Sequence, residues 1–185
     1  MKPFVLDARR TLVLLIDMQE KLMPAIAHRE DIERMGSLLL RCADAMGVPV
    51  LVSEHYTKGL GKTVPSLVQA LPEACPVVEK ISFSCWGEPE IVRSVERAAR
   101  RQIVLFGVET HICVLSTALE LLAEGYDVVL VSDATGSRQD AHRDLAFDAL
   151  RSAGGLVLPT ESVAYQLLGK AGTELFKRVL PFFKA

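Results

Sequence analysis

Residues 11–17 read TLVLLID, an unbroken apolar run from Thr11 to Ile16 that ends in the acid Asp17. A run of this kind is typical of a strand that is buried on both faces at the centre of a parallel sheet. In such sheets the ligand lies beyond the carboxyl ends of the strands. We therefore predict a fold built around this strand, with Asp17 at the ligand-binding edge.

Strand-like and helix-like segments alternate after this strand. Further strands are predicted at 48–53, 77–80, 102–108, 127–132 and 156–158. Helices are predicted at 31–46, 88–100, from Thr110 or His111 to about 124, at 140–153, and near 161–168 and 173–180. Residues 57–75 contain several Gly and Pro residues and are predicted to form a long loop with one short helix. The alternation predicts an α/β fold of three layers (α/β/α), Rossmann-like, with a six-stranded parallel sheet in the order 3-2-1-4-5-6.

Length and composition fit one ordinary globular domain over residues 1–185, with 50% hydrophobic residues and a net charge of −2. No run of Lys or Arg predicts nucleic-acid binding, and no apolar stretch predicts a membrane span. The N-terminal MKPFVLDARR lacks an apolar signal core, so a cytoplasmic location is expected. The four cysteines have neither zinc-ligand nor disulfide-framework spacing.

Three reactive side chains are predicted to meet at one edge of the sheet. Asp17 ends the first strand, Lys80 ends the third, and Cys113 follows the fourth. Each has an ordinary alternative: Asp17 as a turn cap, Lys80 as a surface lysine and Cys113 as a core residue. Those alternatives do not predict convergence, so a catalytic site is favoured.

The chemistry of the three groups is complementary. Cys113 is predicted at a helix start, where the helix dipole favours a thiolate. Lys80 would hold the anion, and Asp17 would take the thiol proton and pass it to a leaving amine. The backbone N–H groups of Ile112 and Cys113 are candidates for an oxyanion hole.

Three motifs resemble the isochorismatase-like hydrolases, also called cysteine hydrolases. They are LLIDMQ (14–19), VEKISFSCW (78–86) and GVETHICVLSTALELLAEGYDVVLVSDATGSR (107–138), and the resemblance extends over about residues 11–159. It implies a catalytic triad of Asp17, Lys80 and Cys113 and a cis peptide between Val108 and Glu109. It also implies oligomerisation, with an active site near a subunit boundary. SEHYTKGLGKTVPSL (53–67) is similar to the isochorismatase-domain-containing branch, whose substrate is not defined.

Two departures narrow the chemistry that the resemblance implies. Nicotinamidases carry a metal-binding D-x-H after the second strand, where this chain has Glu54, His55 and Tyr56. One Glu and one His make a poor metal site, so no metal is expected. True isochorismatases cleave a vinyl ether and some lack the cysteine, so Cys113 favours an amide, imide or ureido carbonyl.

The remaining signals concern the substrate pocket and cofactors. Gln19, His55, Phe83 and Trp86 are candidate pocket residues, although Phe83 and Trp86 are equally compatible with an interface. GLGKT (59–63) lacks the first glycine of a phosphate-binding loop, and no cofactor is expected. Asp133 and Arg138 are expected to close a loop by an ion pair.

The favoured function is hydrolysis of a small-molecule C–N bond through a thioester, by a homo-oligomer that binds neither nucleic acid nor membrane. Three alternatives stay open: a vinyl-ether hydrolase, a non-catalytic protein that retains the pocket, and a flavodoxin-like cofactor binder suggested by the fold alone.

Overall fold

The computed structural model describes residues 4–184; the first three residues of MKPFVLDARR and the C-terminal Ala185 lie outside them. The strands are β1 (Thr11–Ile16), β2 (Val50–His55), β3 (Val77–Lys80), β4 (Gln102–Gly107), β5 (Asp127–Thr135) and β6 (Leu156–Leu158). They form one parallel sheet in the order β3-β2-β1-β4-β5-β6. The predicted fold class and strand order are confirmed.

Helices cover both faces of this sheet. They are α1 (Arg29–Met46), α2 (Thr57–Leu60), α3 (Pro65–Val68), α4 (Pro89–Ala98), α5 (Leu115–Ala123), α6 (Asp140–Ala153), α7 (Thr160–Leu168) and α8 (Glu174–Val179). Short 3₁₀ turns occupy Met23–Ala25, Cys85–Gly87 and Leu180–Phe183. Within residues 4–184, no helix combines the length and the apolar character needed to cross a membrane.

Strand β1 lies at the centre because its side chains are buried on both faces of the sheet. Val13 and Leu15 join the hydrophobic core beneath α1 and α7. Leu12, Leu14 and Ile16 join the core on the opposite face, beneath α4, α5 and α6. This alternation is the two-residue period of a strand. It explains why the continuous apolar run of the sequence forms a strand between two helical layers.

Several predicted boundaries differ from the structure. Strand β2 begins at Val50 and includes His55, because its pairing with β3 continues to His55 opposite Lys80. The predicted long loop after β2 contains two short helices, α2 and α3, instead of one. Pro65 begins α3, a position where its missing N–H is not needed. The segment after β4 opens with a π-helical turn, Thr110–Val114, before α5.

One glycine determines how closely β4 approaches β1 at the carboxyl edge. Gly107 ends β4 with φ of +130°, and a Cβ built on it would lie 2.0 Å from the carbonyl oxygen of Ile16. That oxygen accepts a hydrogen bond from the backbone N–H of Val108. Any side chain at position 107 would therefore push apart the two strands that carry the candidate site.

We predict that Gly107→Ala destabilises the fold by at least about 3 kcal/mol, because backbone overlap adds to an unfavourable φ. Gly47→Ala is the matched control: Gly47 also has a positive φ, but nothing lies within 4 Å of its added Cβ. It should cost about 1–2 kcal/mol. Urea unfolding of the two variants measures the difference, and equal losses would contradict the close-approach explanation.

Candidate active site

Asp17 is fixed by the neighbouring strand β2. Its backbone N–H donates to the Ser53 carbonyl (3.1 Å), and the Ser53 hydroxyl donates to Asp17 Oδ1 (2.7 Å). Both side chains are fully buried. Asp17 also has a left-handed backbone, with φ of +55°, which is uncommon for a residue other than glycine. Ser53 therefore holds both the backbone and the carboxylate of Asp17.

Lys80 meets the other carboxylate oxygen. Its Nζ lies 2.7 Å from Asp17 Oδ2, and neither side chain is exposed to solvent. Nζ also donates to the carbonyl oxygens of Ser82 (3.1 Å) and Phe83 (3.0 Å). Burial lowers the pKa of Lys80, but the charges of Asp17 and the nearby thiols outweigh it and raise the pKa overall. The lysine is therefore a buried cation.

The Cys113 thiol completes the cluster. It lies in the π-helical turn after β4, is 7% exposed, and is close enough to Asp17 and Lys80 for both charges to affect its pKa. Among the described residues, Asp17 Oδ2 receives no hydrogen bond of good angle despite its short contact with Lys80. This oxygen therefore retains the capacity to accept a proton. The structure brings Asp17, Lys80 and Cys113 together as the sequence predicts.

The expected resting thiolate at Cys113 is not supported. Burial, followed by the negative charge of Asp17, raises the pKa of Cys113 to about 12, and Lys80 lowers it only in part. The dipole at the start of a regular helix would favour a thiolate, but the cysteine lies inside a π-helical turn instead. The thiol is therefore protonated at neutral pH and needs a base.

The turn that carries Cys113 is fastened to the segment after β5. The Val108–Glu109 peptide is cis. The Glu109 carboxylate accepts hydrogen bonds from the backbone N–H and the Nε of Arg138 (3.0 and 3.1 Å). The expected Asp133–Arg138 ion pair is wrong, because Asp133 Oδ1 instead accepts from the backbone N–H and hydroxyl of Thr160. The partner of Arg138 is therefore Glu109, which the sequence did not indicate.

One of the two oxyanion-hole candidates is already engaged. The backbone N–H of Ile112 donates to the Glu109 carbonyl at 3.1 Å, so it is not free to bind an oxyanion in this structure. The Val114 N–H shares the same acceptor. The reason is the tight turn itself, which folds its first amides back onto Glu109. The Cys113 N–H remains the candidate donor.

Gln19 does not line a pocket. Its side chain is fully buried and bonds only to backbone: the oxygen accepts from His55 N (2.7 Å), and the amide donates to His55 O (3.0 Å) and Gly61 O (2.7 Å). Through these three hydrogen bonds, the Gln19 amide group holds the backbone of His55 and Gly61 in place. The prediction of a substrate-binding role for Gln19 is therefore corrected to a structural one.

The other pocket candidates lie at different depths. Phe83 is exposed and stacks on His55 with a ring-centroid separation of 5.6 Å. Burial, and then the charge of Lys80, lowers the pKa of His55, which favours a neutral imidazole. Trp86 packs against the hydrophobic core and contacts Tyr126 edge-on. His55 and Phe83 are thus placed near Lys80 at the rim, whereas Trp86 supports the core.

Glu54, which together with His55 stands where nicotinamidases have their metal-binding motif, makes structural contacts. Glu54 is buried, and its carboxylate accepts from the backbone and hydroxyl of Thr63 and pairs with Lys62 at 3.0 Å. Its oxygens are committed to the loop after β2. Over residues 4–184, no group of three or more His, Cys, Asp or Glu side chains is arranged to hold a metal ion.

Comparison with protein families identifies the family of the chain. The Isochorismatase domain matches residues 11–162 of the chain. The chain belongs to the isochorismatase family. This confirms the resemblance drawn from the three motifs.

A relative from Salmo salar, isochorismatase domain-containing protein 1, is 41% identical over 175 residues, which is 95% of this chain and 61% of that protein. The chain spans about three fifths of the length of this relative and of its counterpart from Danio rerio.

Several solved structures superimpose closely on the chain. MAR1 ribonuclease from Caenorhabditis elegans has a TM-score of 0.93 at 30% identity, covering 98% of this chain and 93% of that one. YcaC from Pseudomonas aeruginosa, determined with hexane-2,5-diol and covalent acrylamide, has a TM-score of 0.91 at 25% identity, with the same coverages. YcaC from Escherichia coli, an octameric hydrolase of unknown specificity, has a TM-score of 0.90 at 26% identity and coverages of 100% and 95%.

Removing either of the two charges beside Cys113 should shift the pKa of its thiol, in opposite directions. The negative charge of Asp17 raises the pKa of the Cys113 thiol and the positive charge of Lys80 lowers it. Asp17→Asn should therefore move this pKa down from about 12, whereas Lys80→Met should move it further up. The pH dependence of iodoacetamide labelling, read at the Cys113 peptide by mass spectrometry, measures both shifts. Cys75, which lies outside the cluster, is the internal control, and a rise in Asp17→Asn would contradict the assignment.

Proposed function

We propose that this isochorismatase-family chain is a cysteine-dependent hydrolase of small amide, imide or ureido C–N bonds. The observation that carries the proposal is the fully buried Asp17–Lys80 ion pair, 2.7 Å long, close enough to the buried Cys113 thiol for both charges to affect the pKa of that thiol. An ion pair is costly to bury, and a thiol placed against it has a base on one side and a cation on the other.

In the first half of the proposed reaction, Asp17 takes the thiol proton, and the Cys113 thiolate then bonds to the carbonyl carbon, whose oxygen takes up the negative charge. Proton transfer removes the negative charge that raises the pKa of the thiol and leaves Lys80 beside the sulfur. The ion pair thus changes from Asp17–Lys80 to Cys113–Lys80 without the appearance of an uncompensated charge. The Cys113 backbone N–H is the proposed donor to the oxyanion.

In the second half, the C–N bond breaks and Asp17 returns the proton to the leaving nitrogen, which yields an amine and a thioester on Cys113. Water then attacks the thioester carbonyl, and Asp17 accepts a water proton. The sulfur–carbon bond breaks, a carboxylic acid leaves, and the thiol is restored. Each half uses the same acid and the same cation, which explains why only three side chains are needed.

The covalent acrylamide in the Pseudomonas aeruginosa YcaC structure supports the proposal indirectly. Acrylamide adds to nucleophiles such as thiols, so its presence is compatible with a reactive group in that protein. This chain is 25% identical to it over nearly its whole length. By analogy with that protein, we expect a small amide-containing molecule to fit the site around Cys113 in this chain.

We also propose that the chain works as a homo-oligomer, as the octameric Escherichia coli neighbour does. Tyr56, Ile81 and Phe83 are more than half exposed beside Lys80, as expected of side chains that pack against another subunit. Light scattering should give a mass that is a multiple of the 20.3 kDa chain, and a strict monomer would contradict this arrangement.

The catalytic proposal is tested with a panel of small primary amides, cyclic imides and ureido compounds, with an RNA oligonucleotide included because one structural neighbour is called a ribonuclease. Cys113→Ala should lower turnover of any hydrolysed amide by at least about a thousandfold. The double variant Asp17→Asn/Lys80→Met, which keeps the buried pair neutral, should be similarly inactive.

Cys75→Ala is the control, because Cys75 lies outside the site and should leave turnover unchanged. Unchanged amide turnover in Cys113→Ala would overturn the mechanism. Cleavage of RNA with no amide hydrolysis would overturn the proposed substrate class.

A further inference from the structure

The segment that follows Lys80 is held by the helix that follows Cys113. We call residues 81–86 the lysine loop. The backbone N–H of Cys85 donates to Thr117 Oγ1 at 2.9 Å, and the Thr117 hydroxyl donates to the carbonyl of Cys113 at 2.7 Å. Thr117 is fully buried in α5. One hydroxyl therefore joins the lysine loop to the backbone of the candidate nucleophile.

A second residue of α5, Glu120, contacts the lysine loop from the same face of the helix. The hydroxyl of Ser84, which is buried, donates to the carboxylate of Glu120. The Ser84 oxygen in turn accepts the backbone N–H of Trp86 at 3.1 Å. Glu120 lies three residues after Thr117, so the two side chains share one face of α5. The helix contacts two successive loop residues through polar groups.

The lysine loop also determines where the ammonium lies. Two of its carbonyls, from Ser82 and Phe83, accept hydrogen bonds from Lys80 Nζ. A displacement of the loop would therefore displace the cation or leave it without these acceptors. The contacts form a continuous path from the Cys113 carbonyl through Thr117 and the lysine loop to the Lys80 ammonium.

We infer that Thr117 and Glu120 are positioning residues that set the Lys80 ammonium relative to Cys113. The inference rests on the proposed cysteine chemistry, in which Lys80 must lie beside the sulfur when Asp17 takes the proton. Neither residue touches the reacting atoms. Thr117 acts through the Cys113 carbonyl and Cys85 N–H, and Glu120 acts through Ser84.

The test compares Thr117→Val, which keeps the shape and removes the hydroxyl, with Thr117→Ser, which keeps the hydroxyl. Thr160→Val is the matched control. Thr160, the first residue of α7, is also a buried threonine, and its hydroxyl donates a hydrogen bond to Asp133. Glu120→Ala and Glu120→Gln form a second pair, since the glutamine oxygen can still accept from Ser84.

Three quantities are measured for each variant: the melting temperature, amide hydrogen exchange over residues 81–86, and the rate of Cys113 labelling by acrylamide. Thr117→Val should speed amide exchange in the lysine loop. It should also slow the labelling of Cys113 by about tenfold. Thr117→Ser should restore both. Thr160→Val should lower the melting temperature without changing either. Glu120→Ala should show a smaller effect of the same sign, and Glu120→Gln should recover.

Faster loop exchange with unchanged Cys113 labelling would reduce Thr117 to a stabilising residue and overturn the inference. Unchanged exchange in Thr117→Val would overturn it as well, because the loop would then not depend on the hydroxyl. If the wild-type protein labels Cys113 no faster than the buried Cys42, the proposed function fails first, and the positioning role fails with it. Loop exchange still reports separately whether the contacts hold the loop.

Discussion

A carboxylate and an ammonium lie 2.7 Å apart in the interior of this protein, and neither Asp17 nor Lys80 is exposed to solvent. Removing two charges from water costs several kcal/mol for each ion, and only good geometry with further hydrogen bonds offsets it. The surrounding structure supplies both. The Ser53 hydroxyl donates to Asp17, and two loop carbonyls accept from Lys80. The carboxyl edge of the sheet is organised around this pair.

The pair also governs the behaviour of the thiol. With Asp17 ionised, burial and a nearby negative charge keep Cys113 protonated. In the proposed reaction, Asp17 takes the thiol proton, and the same cation that neutralised the carboxylate then faces a thiolate. Activation as proposed is thus coupled to the reaction and does not require a permanently exposed anion. A buried thiol that stays neutral at rest is also protected from indiscriminate oxidation, which follows thiolate character and exposure.

The general arrangement could be predicted from the sequence because it depends on strong, short-range rules. The apolar run of β1 identifies a central strand, and the alternation of elements leads to the strand order and to the edge where Asp17, Lys80 and Cys113 meet. The family motifs point to the same three residues, and the Isochorismatase domain matches residues 11–162, a range that includes them.

Other features depend on contacts between distant segments and could not be predicted in this way. Gln19 is a polar residue near the site, but only the tertiary structure shows that its amide is used by the backbone of His55 and Gly61. Arg138 pairs with Glu109 and not with the nearer acid in sequence, Asp133. The pKa of Cys113 is raised chiefly because the thiol is buried, and burial becomes visible only in the tertiary structure. Ser53 could have been recognised as the first polar residue after the apolar run 50–52 of β2.

The most direct test of the account is to identify the residue that carries the substrate during turnover. The protein would be incubated with a pool of small amides, quenched in acid, digested and analysed by peptide mass spectrometry. The account predicts an acyl group on the Cys113 peptide that hydroxylamine removes, as expected of a thioester. Amide hydrolysis in the same samples with Cys113 unmodified and the acyl group on another side chain would contradict it.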